Sequence, residues 1–374
     1  MFWILLASLF SVLAADACDG CDARVMSVEV FKPWEGGFPC IRVPSIIRTP
    51  HALIAFAECR MITGDGCNPK SLYEIGNDNT MYVCQKKSTD GGKTWGPLTF
   101  PFGRTVANRE ASPVYDEVHH KLIVVGNLMN QQLIMTTSDD EGDSYSPMEN
   151  IDAKVGAAHT TYVGVGHGLQ LHYGPHAGRL LFIGHHNSYE YDPVWFTDDA
   201  GVSWSASATL LRQMDEAQLV EVGNGDVMAN MRNAHLNGTY RAVAVSRDGG
   251  ASFGPIAFDT TLIDPINAAS IIRDYQTDFV YFSNAAHASQ RVRMTVRRSA
   301  DFAKSWEKEL LVFEGPSAYS DMIDLADDTF IGLLWETNST DCEGPSCRTL
   351  FSFIPKYFSS VCWITESLLG VERV

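Results

Sequence analysis

Short runs in which apolar and polar residues alternate recur along the chain, and most run into the same polar turn. Met81-Tyr-Val-Cys-Gln, Leu133-Ile-Met-Thr-Thr and Ala242-Val-Ala-Val read as half-buried strands, because a strand shows alternate side chains to opposite faces. The turn that follows has the form Ser/Thr-x-Asp-x-Gly-x-Ser/Thr-aromatic. Its copies are Ser88-Thr-Asp90-Gly-Gly92-Lys-Thr94-Trp95, Ser138-Asp-Asp140-Glu-Gly142-Asp-Ser144-Tyr145 and Thr197-Asp-Asp199-Ala-Gly201-Val-Ser203-Trp204. Two more are Ser246-Arg-Asp248-Gly-Gly250-Ala-Ser252-Phe253 and Ser299-Ala-Asp301-Phe-Ala303-Lys-Ser305-Trp306, the last with alanine where the others have glycine. The starts lie 50, 59, 49 and 53 residues apart, the period of a propeller blade of about four strands. Aspartate accepts hydrogen bonds from turn amides and glycine supplies positive φ. The aromatic is then expected to pack the turn onto its own sheet. A calcium loop is the competing reading, but no spaced carboxylate ladder or distal glutamate completes one.

This periodicity changes what the length implies. By size, 374 residues suggest two or three domains, but repeats share one core. Apolar residues make up 45% of the chain, with 8 Trp, 13 Tyr and 19 Phe, enough for a large core. The remaining apolar signal is residues 2–15, uncharged and followed by small residues. It reads as a secretory signal peptide cut between Ala14 and Ala17, leaving 18–374 as a single domain. The run is short for a bilayer span and no second one is long enough, so an integral membrane protein is not expected.

A net charge of -17 without any Lys/Arg-rich run argues against nucleic acid as a partner. An anionic ligand would need a local cluster of arginines. Nine cysteines suit an oxidising compartment, and two sequons, at Asn237 and Asn338, suit glycosylated surface loops. Cys59 and Cys67 are expected to staple the loop between them, and Cys342 with Cys347 to close a small loop. Cys18 and Cys21 form a lone C-x-x-C, which makes a poor zinc site.

The repeat is the Asp-box, and through it the chain resembles the sialidase (neuraminidase) family. Asp-boxes also occur in non-enzymatic receptors, so the remaining motifs carry the function. Ile41-Arg42-Val43-Pro44 resembles the family's Phe-Arg-Ile-Pro signature, and Ala55-Phe-Ala-Glu58-Cys-Arg60 its Ala-Phe-Ala-Glu-x-Arg stretch, with Asp65 in the following loop. Asp215-Glu216 with Asn230-Met-Arg232 resembles the Asp-Glu…Asn-x-Arg block, and the Gly223-Asn-Gly225-Asp turn between them brings both ends to one rim. Arg291 opens a stretch resembling the third-arginine strand, Gly315-Pro-Ser-Ala-Tyr319-Ser320 the nucleophile signature, and Leu333-Leu-Trp335-Glu336 the Leu-Leu-Tyr-Glu that buttresses the first arginine. Ala318 stands where glycine is usual. Segments near Phe258 and Tyr281 look most like the lysosomal-type branch.

The resemblance spans roughly residues 36–355 and implies an all-β, six-bladed propeller and an exo-α-sialidase. Sialic acid carries a carboxylate on its anomeric carbon, which repels an anionic nucleophile and favours a tyrosine. The resemblance therefore assigns Tyr319 as nucleophile, Glu216 as its base and Asp65 as acid. Arg42, Arg60, Arg232 and Arg291 would bind substrate, with Glu336 orienting Arg42. Glu221 is the rival base. Arg293, expected on the same side of the strand as Arg291, is the rival third arginine. No metal or organic cofactor enters this chemistry. The partner is a sialylated glycoconjugate in the lysosomal lumen or outside the cell. A sialic-acid-binding propeller without turnover and a trans-sialidase are the alternatives.

Overall fold

The computed structural model describes residues 25–61, 67, 81–156, 161–236, 238–338 and 347–358. The expected signal peptide, Cys18 and Cys21, Asp65, Asn237 and Cys342 lie outside them. What is described is all-β apart from short helical turns at Glu35–Gly37 and Asp152–Val155.

Strands group in chain order into antiparallel sheets. Cys40–Arg48, Leu53–Arg60 and Met81–Ser88 form the first, and Asn108–Asp116, Lys121–Leu128, Leu133–Ser138 and Glu149–Asn150 the second. Leu180–His186 and Val194–Thr197 centre the third, with Leu169–Gln170 and Thr161–Val163 paired to the former. Ala217–Val222, Asp226–Met231, Tyr240–Ser246 and Ala257–Ile263 make the fourth. Tyr191–Asp192 pairs separately with Leu211–Arg212, and the largest sheet is one of seven strands rather than two separate units. Its long strand Lys308–Asp324 pairs through 308–316 with Val292–Ser299 and through 317–324 with Phe330–Thr337. Met26–Phe31 completes it against Arg348–Pro355, so the two ends of the described chain are joined by a ladder.

Cys40–Arg48, Asn108–Asp116, Leu169–Gln170, Ala217–Val222, Ser270–Arg273 and Lys308–Asp324 are each the first of a run of paired strands and adjoin in that order, the last packing back on Cys40–Arg48. Apolar layers fill the space between consecutive sheets. Ile123 and Leu133 meet Phe182 and Trp195, for example, and Val220 and Met228 meet Ile271 and Phe282. One buried carboxylate ties the first strands together. Asp321 accepts hydrogen bonds from Ile46 N (2.8 Å), His167 Nδ1 (2.9 Å), Gln218 Nε2 (2.8 Å) and Ser270 Oγ (3.0 Å). Four donors offset the cost of burying that charge.

The five Asp-boxes share one geometry. In each, the first hydroxyl donates to the aspartate and accepts the amide of the Gly/Ala position, as Ser88 does for Asp90 and Gly92. The second hydroxyl residue donates to the same carboxylate from its amide and its Oγ, as Thr94 does at 2.9 and 2.6 Å. These bonds hold the exposed Asp90 and Asp140 carboxyls down to about 2. The turn does not simply fold onto its own sheet, as the sequence suggested. A Cβ on Gly92 would meet Phe351 at 2.3 Å, one on Gly142 Ile54 at 2.8 Å and one on Gly250 Leu181 at 2.2 Å, each a residue of the preceding sheet. Trp95 stacks edge-on to Phe351, and Trp306, though against Phe282 of its own sheet, donates Nε1 to Asp259 of the one before. The box is a fastener between sheets.

Disulfide pairing differs from expectation. Cys40 pairs with Cys67 and Cys59 with Cys84. Cys59 sits on a strand hydrogen-bonded to Met81–Ser88, two residues diagonal from Cys84, so its sulfur meets the neighbouring strand rather than the loop. Asn338 is only 9% exposed, unlike an open glycosylation site.

Candidate active site

β-Bulges present two of the candidate side chains, Arg42 and Tyr319. Between Arg42 and Ser45 the ladder slips, and Val43 adopts φ +60°, costly for a β-branched residue. The strain is held by Glu336, which accepts the Val43 amide at 2.8 Å. The same carboxylate takes Arg42 Nε at 3.2 Å and Nη2 at 2.9 Å, and the Tyr319 amide at 3.1 Å. Glu336 is fully buried, so a paired guanidinium and two amides offset its desolvation. A second bulge, between Ser317 and Ser320, sets Ala318 and Tyr319 opposite the single residue Glu336.

The Tyr319 phenol is the centre of the cluster. Its hydroxyl donates to Glu216 Oε1 at 2.6 Å and receives Arg232 Nη1 at 3.0 Å. Arg232 also contacts Glu216 Oε2 at 2.5 Å and Asp215 Oδ2 at 2.8 Å. The Arg42 guanidinium lies 5.7 Å and that of Arg291 5.5 Å from the Tyr319 ring centroid. Glu216 and Arg232 meet because the hairpin between them pairs Ala217 with Met231 and continues as an Arg232 N to Glu216 O bond of 2.9 Å.

The electrostatics separate the acid from the phenol. Burial pushes the Glu216 carboxyl up, but the Arg232 charge, His185 and the hydrogen bonds from Tyr319 and Arg232 outweigh it and hold it below its usual range. Burial and the Glu216 charge push the Tyr319 phenol well up, while Arg232 and Arg291 pull against them. The phenol is therefore neutral at rest, beside an ionised carboxylate positioned to take its proton.

Both rivals face elsewhere. Glu221 accepts the His172 and Tyr173 amides, each at 2.9 Å, and the Tyr275 hydroxyl at 3.1 Å. Arg293 pairs with Glu314 at 2.6 Å. The expectation that Arg291 and Arg293 share a face fails because a bulge and φ +66° at Arg293 interrupt the alternation. Arg60 is held by Glu58 (Nε to Oε2, 2.9 Å) and donates to the Cys67 carbonyl at 3.0 Å. Asp65, the expected acid, lies outside the described residues.

Several residues in this network carry no motif. Glu110, at φ +52° in another bulge, donates its amide to Glu58 Oε1 and accepts Arg109 Nη2 at 2.9 Å. Burial, with the charges of Glu58 and Glu216, pushes its carboxyl up to about 8 against the pull of Arg109. Asp215 is pushed up to about 7 by burial and the Glu216 charge. His185 stands 3.9 Å from both Glu110 and Asp215, and burial holds it down to about 4. A carboxylate directly preceding Glu216 was visible in the sequence; nothing there marked Glu110 or His185.

A family model described as a BNR repeat-like domain matches residues 114–333. A protein named sialidase from Micromonospora viridifaciens is 32% identical over 341 residues, covering 80% of this chain and 50% of that protein. One of the same name from Bacteroides fragilis is 27% identical over 292 residues, 67% of this chain and 53% of its own. The chain thus spans about half the length of these two relatives. Human Sialidase-3 is 23% identical over 394 residues, covering 81% and 87%. Among solved structures, a Hadza microbial sialidase superposes with a TM-score of 0.70 at 23% identity, over 85% of this chain and 66% of that one. A leech intramolecular trans-sialidase gives 0.71 at 16% identity, over 89% and 70%. These structural likenesses establish a shared fold.

Proposed function

The chain belongs to the sialidase family, and from that premise we propose that it is an exo-α-sialidase that releases terminal sialic acid with retention of configuration. The observation that carries this reading is the Tyr319 hydroxyl bracketed by Glu216 and Arg232, with two further guanidinium groups near the same ring. A binding protein needs the arginines alone; it has no use for a base on a buried phenol.

In the proposed reaction, Arg42, Arg232 and Arg291 clamp the substrate carboxylate by charge-assisted bonds. Glu216 takes the Tyr319 proton as the phenolic oxygen bonds to the anomeric carbon and the bond to the aglycone oxygen breaks. Asp65 protonates that departing oxygen. It then takes a proton from water, whose oxygen displaces Tyr319, and Glu216 returns the proton to the phenol. Arg60 supports this site through Glu58 and through the carbonyl of Cys67. Each unit of sheet is read as one blade of a six-bladed propeller, the seven-stranded sheet supplying two. The product is expected in the secretory pathway, with 1–17 as leader and 18–374 as the catalytic domain. Among the described residues no helix is long and apolar enough to cross a membrane.

Transfer to a sugar acceptor instead of water is the second reading, since the same base and nucleophile, Glu216 and Tyr319, would serve either acceptor. A fluorogenic sialoside offered to purified protein, with and without lactose as acceptor, tests both. Release of free sialic acid supports hydrolysis, sialyllactose supports transfer, and no turnover at any pH defeats both.

A further inference from the structure

The bulge that presents Tyr319 takes Ala318 and Tyr319 out of the regular ladder, so their backbone groups need other partners. On one side Glu336 accepts the Tyr319 amide. On the other, the Ala318 carbonyl accepts Nδ2 of Asn267 at 2.8 Å. Both side chains are fully buried. The bulge is gripped from two sides, by a carboxylate that accepts and an amide that donates.

Asn267 is itself fixed with unusual care. Its main-chain carbonyl accepts Arg241 Nη1 at 2.7 Å, and its main-chain N–H donates to Asp264 Oδ1 at 3.2 Å. Arg241 has no solvent exposure and pairs with Asp264 at 2.9 Å and with Asn230 Oδ1 at 2.8 Å. Ile266, just before Asn267, is held at φ +62°, where a β-branched residue is strained, and its carbonyl faces Arg291 Nη2 at 3.4 Å. A strained, ion-paired turn whose end reaches the residue next to the candidate nucleophile suggests a function for the strain.

We infer that Asn267 is a positioning residue for Tyr319, holding the phenol at its attack position through the Ala318 carbonyl, as Glu336 holds it through the Tyr319 amide. The amide must present Nδ2 to Ala318, since a carbonyl oxygen needs a donor. The isosteric substitution Asn267→Asp would set an acceptor against that carbonyl and push the bulge away. The effect falls on the reacting oxygen, while Arg42 stays paired with Glu336.

This inference rests on the sialidase reading, and the test separates the two. Asn267→Asp and Asn267→Ala are compared with the native protein for turnover of an aryl sialoside and for sialic-acid affinity by calorimetry. The expected result is a kcat lower by about 10- to 100-fold, the range for a nucleophile displaced by a fraction of an ångström to 1 Å, with affinity kept within about 3-fold. A kcat within about 2-fold of native, or kcat and affinity falling together, overturns the inference. Absence of turnover by the native protein would instead defeat the sialidase reading. The Tyr319 ring-carbon resonance in 13C-tyrosine-labelled protein, assigned by its loss in Tyr319→Phe, then decides for Asn267. It shifts in Asn267→Asp, or in Asn267→Ala should the first variant not fold, if Asn267 positions the phenol. A resonance left unmoved overturns the inference.

Discussion

The Tyr319 hydroxyl and the Glu216 carboxylate lie 2.6 Å apart, from a bulge in the longest strand and the rim of a hairpin over a hundred residues away in sequence. The pair couples a phenol that burial keeps protonated to a carboxylate that arginine keeps ionised. Neither is reactive alone at neutral pH. Together they make a nucleophile available only as its proton leaves. Tyr319→Phe removes one oxygen and no packing volume. Turnover of an aryl sialoside should fall by at least about 10³-fold, while affinity for a sialic-acid analogue stays within about 3-fold. Activity near the native level would remove Tyr319 from the mechanism.

The arginines make a second contrast. Arg291 lies beside the phenol, and Arg293, two residues on, is turned outward to Glu314 by the bulge. Arg291→Ala should raise KM by about 10- to 100-fold, as expected when a charge-assisted contact of about 1.5–3 kcal/mol is lost. Arg293→Ala should change it by less than about 2-fold, since exposed ion pairs contribute little. Steady-state kinetics of the two variants decide it, and the opposite order would transfer the role.

What the sequence made legible was whatever depends on near neighbours. The hairpin joining Glu216 to Arg232 follows from a Gly-Asn-Gly turn, and the Asp-boxes follow from their own hydroxyls and aspartates. Contacts between sheets were not legible. Glu110 and Asn267 enter the network through positive-φ turns and bulges, where alternation fails and no period predicts which way a side chain faces. The Cys59 partner is hidden in another way: in a regular ladder it is set by strand register, not by distance along the chain. The outward aim of Arg293 is a third case.

The Asp-box glycines allow a stability test of the fastener. Alanine at Gly92 would place Cβ 2.3 Å from Phe351 at φ +92°, and alanine at Gly250 would place it 2.2 Å from Leu181 at φ +88°. Overpacking and positive-φ strain together should cost about 2–5 kcal/mol at either site. The fifth box already carries Ala303, at a gentler φ of +61° and packed among Val220, Val222 and Leu262. Ala303→Gly relieves about 1–2 kcal/mol of strain but gives up a buried methyl of about 0.8 kcal/mol, so it should be nearly neutral. Denaturant unfolding of the three variants measures this; a harmless Gly92→Ala would mean that the glycine is a matter of turn shape alone.

Stability should also depend on pH in a direction the buried carboxyls set. Glu110 and Asp215, pushed up to about 8 and about 7, hold protons in the folded protein at pH values where the unfolded chain, titrating near 4, has lost them. Their contribution is complete below about pH 4 and is lost as pH rises through those folded values. Asp192, pushed well up by burial and by Asp215, acts in the same sense. His185 opposes them between about 4, where the folded imidazole titrates, and its unfolded value of about 6.5. Glu58 and Glu216, held below the usual range, titrate outside this window. The melting temperature should therefore fall throughout pH 5 to 8, because one histidine offsets only one of these carboxyls, each uncompensated proton giving a slope of about 1.4 kcal/mol per pH unit. The decline should ease above pH 7, where Asp215 loses its proton in the folded protein as well. Glu110→Gln, which cannot ionise, should flatten the upper part of that decline. Thermal melts at constant ionic strength would show it, and a melting temperature that rises from pH 6.5 to 8 would mean that these carboxyls are already ionised in the native protein.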